Sequence, residues 1–427
     1  MRHAFQTPRT VRATCSAVIA LSATAGSAMA GGFEVREQST YFQGMSFAGA
    51  AAGGSSLSSM FWNPAAAGYA EQGLSFESGY SLIIPRADVT VEEVNGVPVE
   101  LTGFGALDTS VDFGRDALVP ASYMAYRLSN DLVLAMSINS QFGLSTKSDS
   151  KQWAGDILGR TSKVFSVNAA PTIAYQIAPG VQVGAGLQLQ YFDLVRFSSA
   201  VPVAGRPTAA LDGDDFGVGF TLGVNFTPAA GTSIGIGYRS SISHDLKGDF
   251  STPGPTFPIS ADLDLPEKIT ASLIQAIMPG VRASATVEWT NWSRLGVIPI
   301  NGAPQPTSLD FQWEDGWYFA VGGEYDYSAD LTLRAGFAYE ISPIDDPSQR
   351  LVQLPDDDRY WLSAGASYKV GDVMGLLRDA TVDLAYSHVF VDEGNFERHP
   401  AAAAAPVFTG STESAVDIIS IGIRSKL

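Results

Sequence analysis

The chain is poor in the residues that most enzyme and metal chemistry needs. Of its 427 residues one is cysteine and four are histidine, and no apolar run reaches the ~18 residues that a membrane-spanning helix requires. Cys15 precedes the apolar stretch Val18 to Ala25 of an N-terminal leader, so it leaves with that leader, and the mature chain has no disulfide and no thiol chemistry. The histidines that remain, His244, His388 and His399, show no metal-ligand spacing, and Asp356-Asp357-Asp358 lacks the rest of a calcium loop. Ser387 and His388 are adjacent on a strand, point to opposite faces and form no nucleophile–base pair. Gly217-Val218-Gly219 has no helix after it and reads as glycines that let a barrel wall approach an internal plug. These absences argue against an enzyme, a metal site or a cofactor. Basic residues are scarce too, 26 against 44 acids. Removing Arg2, Arg9 and Arg12 with the leader takes the formal charge from −18 to −21, which excludes nucleic acid as a partner.

What is present is alternation. Residues 1–30 read as a secretory signal, with arginines before the apolar core and Ala28-Met29-Ala30 as a cleavage site, so the mature chain begins at Gly31. Residues 31–72 are the one long mature segment that does not read as a strand. They carry small residues, two alanine runs with the look of single helical turns, and Asn63-Pro64-Ala65 as a break. Phe33, Phe42, Phe47, Phe61 and Trp62 make disorder a poor account of the segment. Residues 73–427 then repeat an alternating strand and a turn, with candidates near 73–84, 117–128, 131–145, 163–178, 180–197, 214–228, 231–247, 266–278, 280–292, 315–328, 330–341, 357–371, 379–391 and 414–427. This predicts an all-β fold, a transmembrane antiparallel barrel of about fourteen strands with the N-terminal segment as a hatch in its lumen.

Connections alternate between tight turns, such as Pro179 and Pro279, and long loops at 85–116, 146–162, 198–213, 248–265, 293–314, 342–356 and 392–413. An outer-membrane barrel sorts its loops this way. The faces agree: Val181, Val183, Ala185, Leu187, Leu189 and Tyr191 oppose Gln182, Gln188 and Gln190 along one strand. Trp289, Trp292, Trp313, Trp317 and Trp361 are expected in an outer aromatic girdle, and Tyr126, Tyr175, Phe226, Tyr325 and Tyr368 in an inner one.

A Gly-Phe start, Asn63-Pro64-Ala65, Asp264-Leu265-Pro266 opening a strand, Pro355-Asp356 ahead of Trp361-Leu362-Ser363-Ala364-Gly365-Ala366, and Ala385-Tyr386-Ser387-His388 together resemble the FadL/TodX family of outer-membrane transporters for long-chain fatty acids and other hydrophobic compounds. The C-terminus departs from the usual aromatic ending of such barrels in Leu427. The resemblance implies a monomer in outer-membrane lipid that binds a hydrophobic small molecule, first in an apolar groove between extracellular loops and then in the lumen. It also implies release sideways at a kink in strand three. Here that assigns the groove to Trp153, Ile157 and Leu158 in one loop and to Val201, Val203 and Leu211 in another. The kink falls at Phe142 and Gly143 within Asn139-Ser140-Gln141-Phe142-Gly143, with hatch residues Asn63, Pro64 and Ala65 facing it.

The ligand stays open between a fatty acid and a neutral aromatic or alkane hydrocarbon. Strand parity puts Arg239 and Lys268 on the lumenal faces of strands seven and eight at one height, where two cations would hold a carboxylate. They would equally serve to balance lumenal acids such as Glu288, Glu324 and Glu340. A general diffusion porin is the other alternative, and the 31–72 segment argues against it because an open porin needs no plug.

Overall fold

The computed structural model describes residues 31–373, 377–399 and 406–426. The expected leader and the C-terminal Leu427 lie outside the described residues. Fourteen antiparallel strands form a closed barrel. Strand one, Gly73–Val94, pairs with strand fourteen, Phe408–Lys426, and this seam leaves no open edge to face lipid. Between them run strand two, Ala117–Arg127; strand three, Leu132–Asn139 and Gly143–Lys147; strand four, Thr161–Ala178; strand five, Val181–Ala200; and strand six, Thr208–Ala229. Strand seven is Thr232–Arg239 and Ile242–Ser251, and strand eight is Thr256–Leu265 and Lys268–Met278. Strands nine to thirteen are Val281–Thr290, Gly316–Asp326, Leu331–Ile341, Arg359–Val373, and Leu377–Val391 with Gly394–Arg398. Short turns close one end, with Gly180, Gly231 and Gly280 in the left-handed conformation that tight hairpins ask of glycine.

The lower wall follows the expected sidedness. Leu187 is 53% exposed on the outer face while its neighbour Gln188 is fully buried in the lumen. Tyr126, Tyr175, Phe226, Tyr325 and Tyr368 all face outward, as an inner girdle requires. The upper wall differs, because the strands run further than the sequence suggested. Strand one continues to Val94, and the segment expected as a long loop at 248–265 is a hairpin of strands seven and eight turning at residues 252–255. Three interruptions explain why the pattern was lost. At 140–142, 240–241 and 266–267 the ladder breaks and the facing inverts, so that above each break apolar residues point inward and charged ones outward. In the upper part of strands seven and eight, Leu246, Leu263 and Leu265 are buried while Asp245, Lys247, Asp262 and Asp264 are exposed. Asp264-Leu265-Pro266 therefore marks a mid-strand break, not a strand opening. Pro266 has no amide hydrogen to give the ladder, which fits that place.

The outer tryptophan girdle also needs correction. Trp317 is exposed and Trp289 half-buried, but Trp292, Trp313 and Trp361 are buried inside the barrel. Trp292 and Trp313 pack edge to face with ring centroids 5.3 Å apart, and Trp361 donates from Nε1 to Glu340 Oε2 at 3.0 Å. Such rings need apolar contact on their faces and a partner for the indole N–H, and the lumen supplies both for Trp361.

Residues 31–72 fill the lumen. The segment carries one α-helical turn, Thr40–Gln43, and three 3-10 turns, Ala50–Ala52, Leu57–Phe61 and Pro64–Tyr69. Ser39, Ser56 and Asn63 cap three of these with their side chains, and Pro64 occupies the first position of the last turn. Barrel glycines make room for it. A Cβ on Gly223 would lie 1.9 Å from Asn63 Oδ1, and one on Gly237 would lie 1.9 Å from the Trp62 carbonyl. Gly217 and Gly219, by contrast, face the break in strand seven, at Ile242 and Ser240, and do not meet the hatch. Because the strands find most of their backbone partners in the wall, with residues 141–143 of strand three the exception, deleting residues 31–72 is expected to leave a barrel that inserts. In planar bilayers its conductance should rise several-fold over the intact protein, and an equally silent deletion variant would show that the segment is no plug.

Candidate functional site

Above the hatch, the inverted upper strands enclose an apolar cavity of about 70 Å³. Leu144, Val164, Phe192, Leu211, Leu246 and Leu263 line it from strands three to eight, and Ile298, Ile300, Leu309 and Phe311 cover it from a hairpin, Val297–Ile300 with Thr307–Asp310. Among the described residues no Lys, Arg or His borders it. The void is below the ~300 Å³ at which pockets for drug-sized ligands begin, so a long chain enters only as these side chains give way.

Phe33 of the hatch is the floor. Its ring lies 5.2 Å from Trp292, 5.7 Å from Phe142 and 6.1 Å from Trp313. Under this aromatic layer the character changes abruptly. Lys268 Nζ contacts Glu34, the residue after Phe33, and lies 2.8 Å from Glu288 Oε1. Arg36 Nη1 donates to Glu288 at 2.8 Å, its Nη2 to Glu340 at 3.3 Å, and its guanidinium stacks 3.7 Å over the Tyr318 ring. All of these charges are buried, and such pairs hold only when each partner stays in place. Glu37 is the exception. Both its carboxylate oxygens are buried without a hydrogen-bond partner among the described residues, and burial pushes its pKa up to about 7.

The same hatch stretch fills a defect in the wall. Strands two and three are bonded only over Ser122–Arg127 and Val133–Ile138. Above that, residues 140–142 leave the ladder, and the hatch takes the place of a strand. The Val35 amide donates to the Gln141 carbonyl at 2.8 Å, Gly143 donates to the Phe33 carbonyl at 3.0 Å, and Glu34 and Phe142 form an antiparallel bridge. Gln38 Nε2 donates to the Ser140 carbonyl at 2.6 Å, and Tyr123 of strand two donates to the Gln38 carbonyl at 2.8 Å. A gap between strands two and three is thus bridged from inside by residues 33–38.

The residues singled out from sequence are distributed as follows. Phe142 and Gly143 lie at the interruption of strand three. Asn63, Pro64 and Ala65 do not face it; Asn63 Nδ2 donates to the Ala51 carbonyl at 2.7 Å, to Asn225 Oδ1 at 2.8 Å and to the Val224 carbonyl at 3.1 Å, so the triplet docks on strand six. The triplet's pattern told of a turn and a cap but not of a direction, and Phe33 to Gln38 take the place it was given. The residues assigned to an extracellular groove lie, Leu211 apart, away from the cavity. Trp153 is fully buried edge to face with Phe113 at 5.5 Å, Ile157 is buried, Val203 is exposed by itself, and neither these nor Leu158 and Val201 line the cavity. Trp153 is a loop anchor, and only Leu211 of the assigned set borders the void. The alternation Ile242, His244, Leu246 and Leu263, Leu265, of which Leu246 and Leu263 border the cavity, was the available signal for its lining. It was passed over because apolar faces were assigned to lipid throughout.

Arg239 and Lys268 are direct cross-strand neighbours, as parity implied. Their head groups diverge. Arg239 Nη1 contacts Gln188, its Nη2 donates to the Phe61 carbonyl at 2.6 Å, and the guanidinium lies 4.3 Å over the Phe61 ring. Arg239 therefore fastens the hatch, and Lys268 is held by two acids of the chain. Glu324 is balanced by Arg334 and Arg282. His388 Nδ1 lies 2.8 Å from Asp417 on the outer face while Ser387 is buried against Ser363, which keeps the two apart.

Comparison with known proteins bears on the site. Residues 21–426 match the family model described as outer membrane protein transport protein (OMPP1/FadL/TodX). A long-chain fatty acid transport protein of Escherichia coli O6:H1 is 24% identical over 430 residues, covering 90% of this chain and 93% of that one. Among solved structures, a Pseudomonas aeruginosa FadL homologue superposes with a TM-score of 0.82 at 20% identity, over 92% of this chain and 99% of its own. The Ralstonia pickettii toluene transporter TbuX gives 0.62 at 18% identity, over 89% and 96%. These structural likenesses concern the fold.

Replacing Asn63 by Ala removes a helix cap worth about 0.5–2 kcal/mol and three further donated bonds. The hatch is expected to loosen while the barrel stays closed. In limited proteolysis, cleavage within residues 31–72 should quicken at least several-fold with the barrel fragment intact; unchanged resistance would mean the Asn63 contacts contribute nothing to docking.

Proposed function

The chain belongs to the outer membrane transport protein family (OMPP1/FadL/TodX), and on that footing we propose that it takes up long-chain fatty acids, binding them in the barrel and releasing them sideways into the outer membrane at the break in strand three. The relatives are transport proteins and not enzymes, and the protein works in the outer membrane. The observation that carries the fatty-acid reading is the Lys268–Glu34 pair, a buried ammonium whose partner carboxylate rides on the hatch directly behind the floor of the apolar cavity.

An acyl chain fills the cavity and displaces Phe33, and its carboxylate takes the place of Glu34 on Lys268. Removing one partner of a buried pair costs about 3–5 kcal/mol, and an exchange of one carboxylate for another avoids most of that. A neutral hydrocarbon has nothing to offer in return. Glu34 and Phe33 then move together, since they are adjacent. Their movement releases the bonds from residues 33–38 to Gln141, Gly143 and Ser140, and the gap between strands two and three opens toward lipid. An uncharged hydrocarbon is the second reading, favoured by the absence of any basic residue from the cavity lining.

Lys268→Ala, alone or with Arg239→Ala, is expected to weaken fatty-acid binding tenfold or more, matching the roughly 1.5–3 kcal/mol of a charge-assisted hydrogen bond, and to leave a neutral alkane of equal length unaffected. Binding measured on delipidated protein decides it. Equal loss for both ligands, or for neither, would assign the lysine to the structure and favour a neutral substrate.

A further inference from the structure

The hatch begins inside a cluster of charges that does not balance. Glu34, Glu37, Glu288, Glu340 and Asp356 are buried there with Arg36, Lys268 and Arg359, five carboxylates against three cations, none more than 5% exposed. Lys268 and Arg36 are shared by Glu34, Glu288 and Glu340, and Arg359 is held by Asp356. Glu37 has no hydrogen-bond partner among the described residues. A buried carboxylate excess calls for a further positive charge or for protonation.

Gly31 is placed to supply one. Its nitrogen is buried and lies 3.2 Å from Glu340 Oε1, and the next amide, Gly32, donates to Asp356 Oδ2 at 2.7 Å. A cavity of about 10 Å³ opens beside it, with Gly31, Glu34, Arg36, Trp292, Tyr318 and Glu340 among the residues that bound it. A Cβ on residue 31 would stand 2.8 Å from Glu340 Oε1, so a larger residue would press on that carboxylate. The residues before it, Ala28-Met29-Ala30, have the form of a signal-peptidase site.

We propose that hydrolysis of the Ala30–Gly31 bond creates the missing cation, and that the new α-ammonium of Gly31 forms a buried ion pair with Glu340 that fastens the hatch. One water is consumed by a signal peptidase: the amide C–N bond breaks, Ala30 leaves with a carboxylate, and Gly31 keeps the nitrogen as an ammonium at neutral pH. Before cleavage the same nitrogen is a neutral amide that offers Glu340 one hydrogen bond and no charge. Processing then does more than remove a leader; it completes the charge network under the aromatic floor, and it does so whichever hydrophobic ligand the barrel carries.

The test is brief reductive methylation of the mature protein in detergent at pH 7, with peptide mass spectrometry of the N-terminus and of the exposed Lys151 as an internal standard. An ion pair that raises the amine's pKa by one unit cuts its reactive neutral form about tenfold. The mature chain should begin at Gly31, its amine should react at least ~tenfold more slowly than in heat- and SDS-denatured protein, and Glu340→Gln should restore most of that reactivity. If the variant does not assemble, an alanine inserted between Ala30 and Gly31 serves instead, because it moves the amine one residue from Glu340 and should quicken labelling. A mature chain that starts elsewhere, an amine that reacts as fast folded as denatured, or labelling that neither change alters would overturn the proposal.

Discussion

A wall that crosses hydrocarbon must pair its backbone groups, and of the breaks this ladder shows at 140–142, 240–241 and 266–267 the one in strand three is filled from inside the barrel. There the partners come from the hatch. Residues 33–38 stand in for a piece of strand, bonded through Val35 and Phe33 to Gln141 and Gly143. In the proposed account this is where the barrel opens. The same stretch carries Phe33 into the cavity above and Glu34 onto Lys268, so ligand, charge and wall meet in consecutive residues.

The arrangement of polarity follows from this. Below the breaks, apolar side chains face lipid and polar ones face the hatch; above them the facing inverts, and the lumen becomes apolar. A hydrophobic molecule therefore finds a compatible surface only in the upper chamber, and beneath it a layer of aromatic rings and then buried ion pairs. Separating those pairs is costly, which is why the proposed route runs sideways and avoids crossing them.

Much of this was legible in the sequence. Period-2 alternation gave the strand number and the lipid-facing set, and the aromatics and alanine turns of residues 31–72 marked a folded plug. The upper architecture was not legible, for a physical reason. Inverted strands such as Ile242–Ser251 and Thr256–Leu265 alternate as faithfully as the others, but one pattern fits an apolar face turned to lipid or to a cavity equally well. Trp292, Trp313 and Trp361 were misplaced by the same ambiguity, since height along the wall does not say which face a ring takes. Parity did locate Arg239 and Lys268 as neighbours. It was silent on Phe61 and Glu34, because which parts of an irregular hatch reach them depends on a path that has no period.

The central claim is that residues 33–38 must leave strand three for transport, and a reversible tether tests it directly. Val35 and Gln141 face each other across the bonded pair, and residues 31–427 contain no native cysteine to interfere. With Val35→Cys and Gln141→Cys oxidised, uptake of fatty acid into cells should fall to background, and reduction should restore it. Uptake by the oxidised protein at the rate of the reduced one would contradict the account.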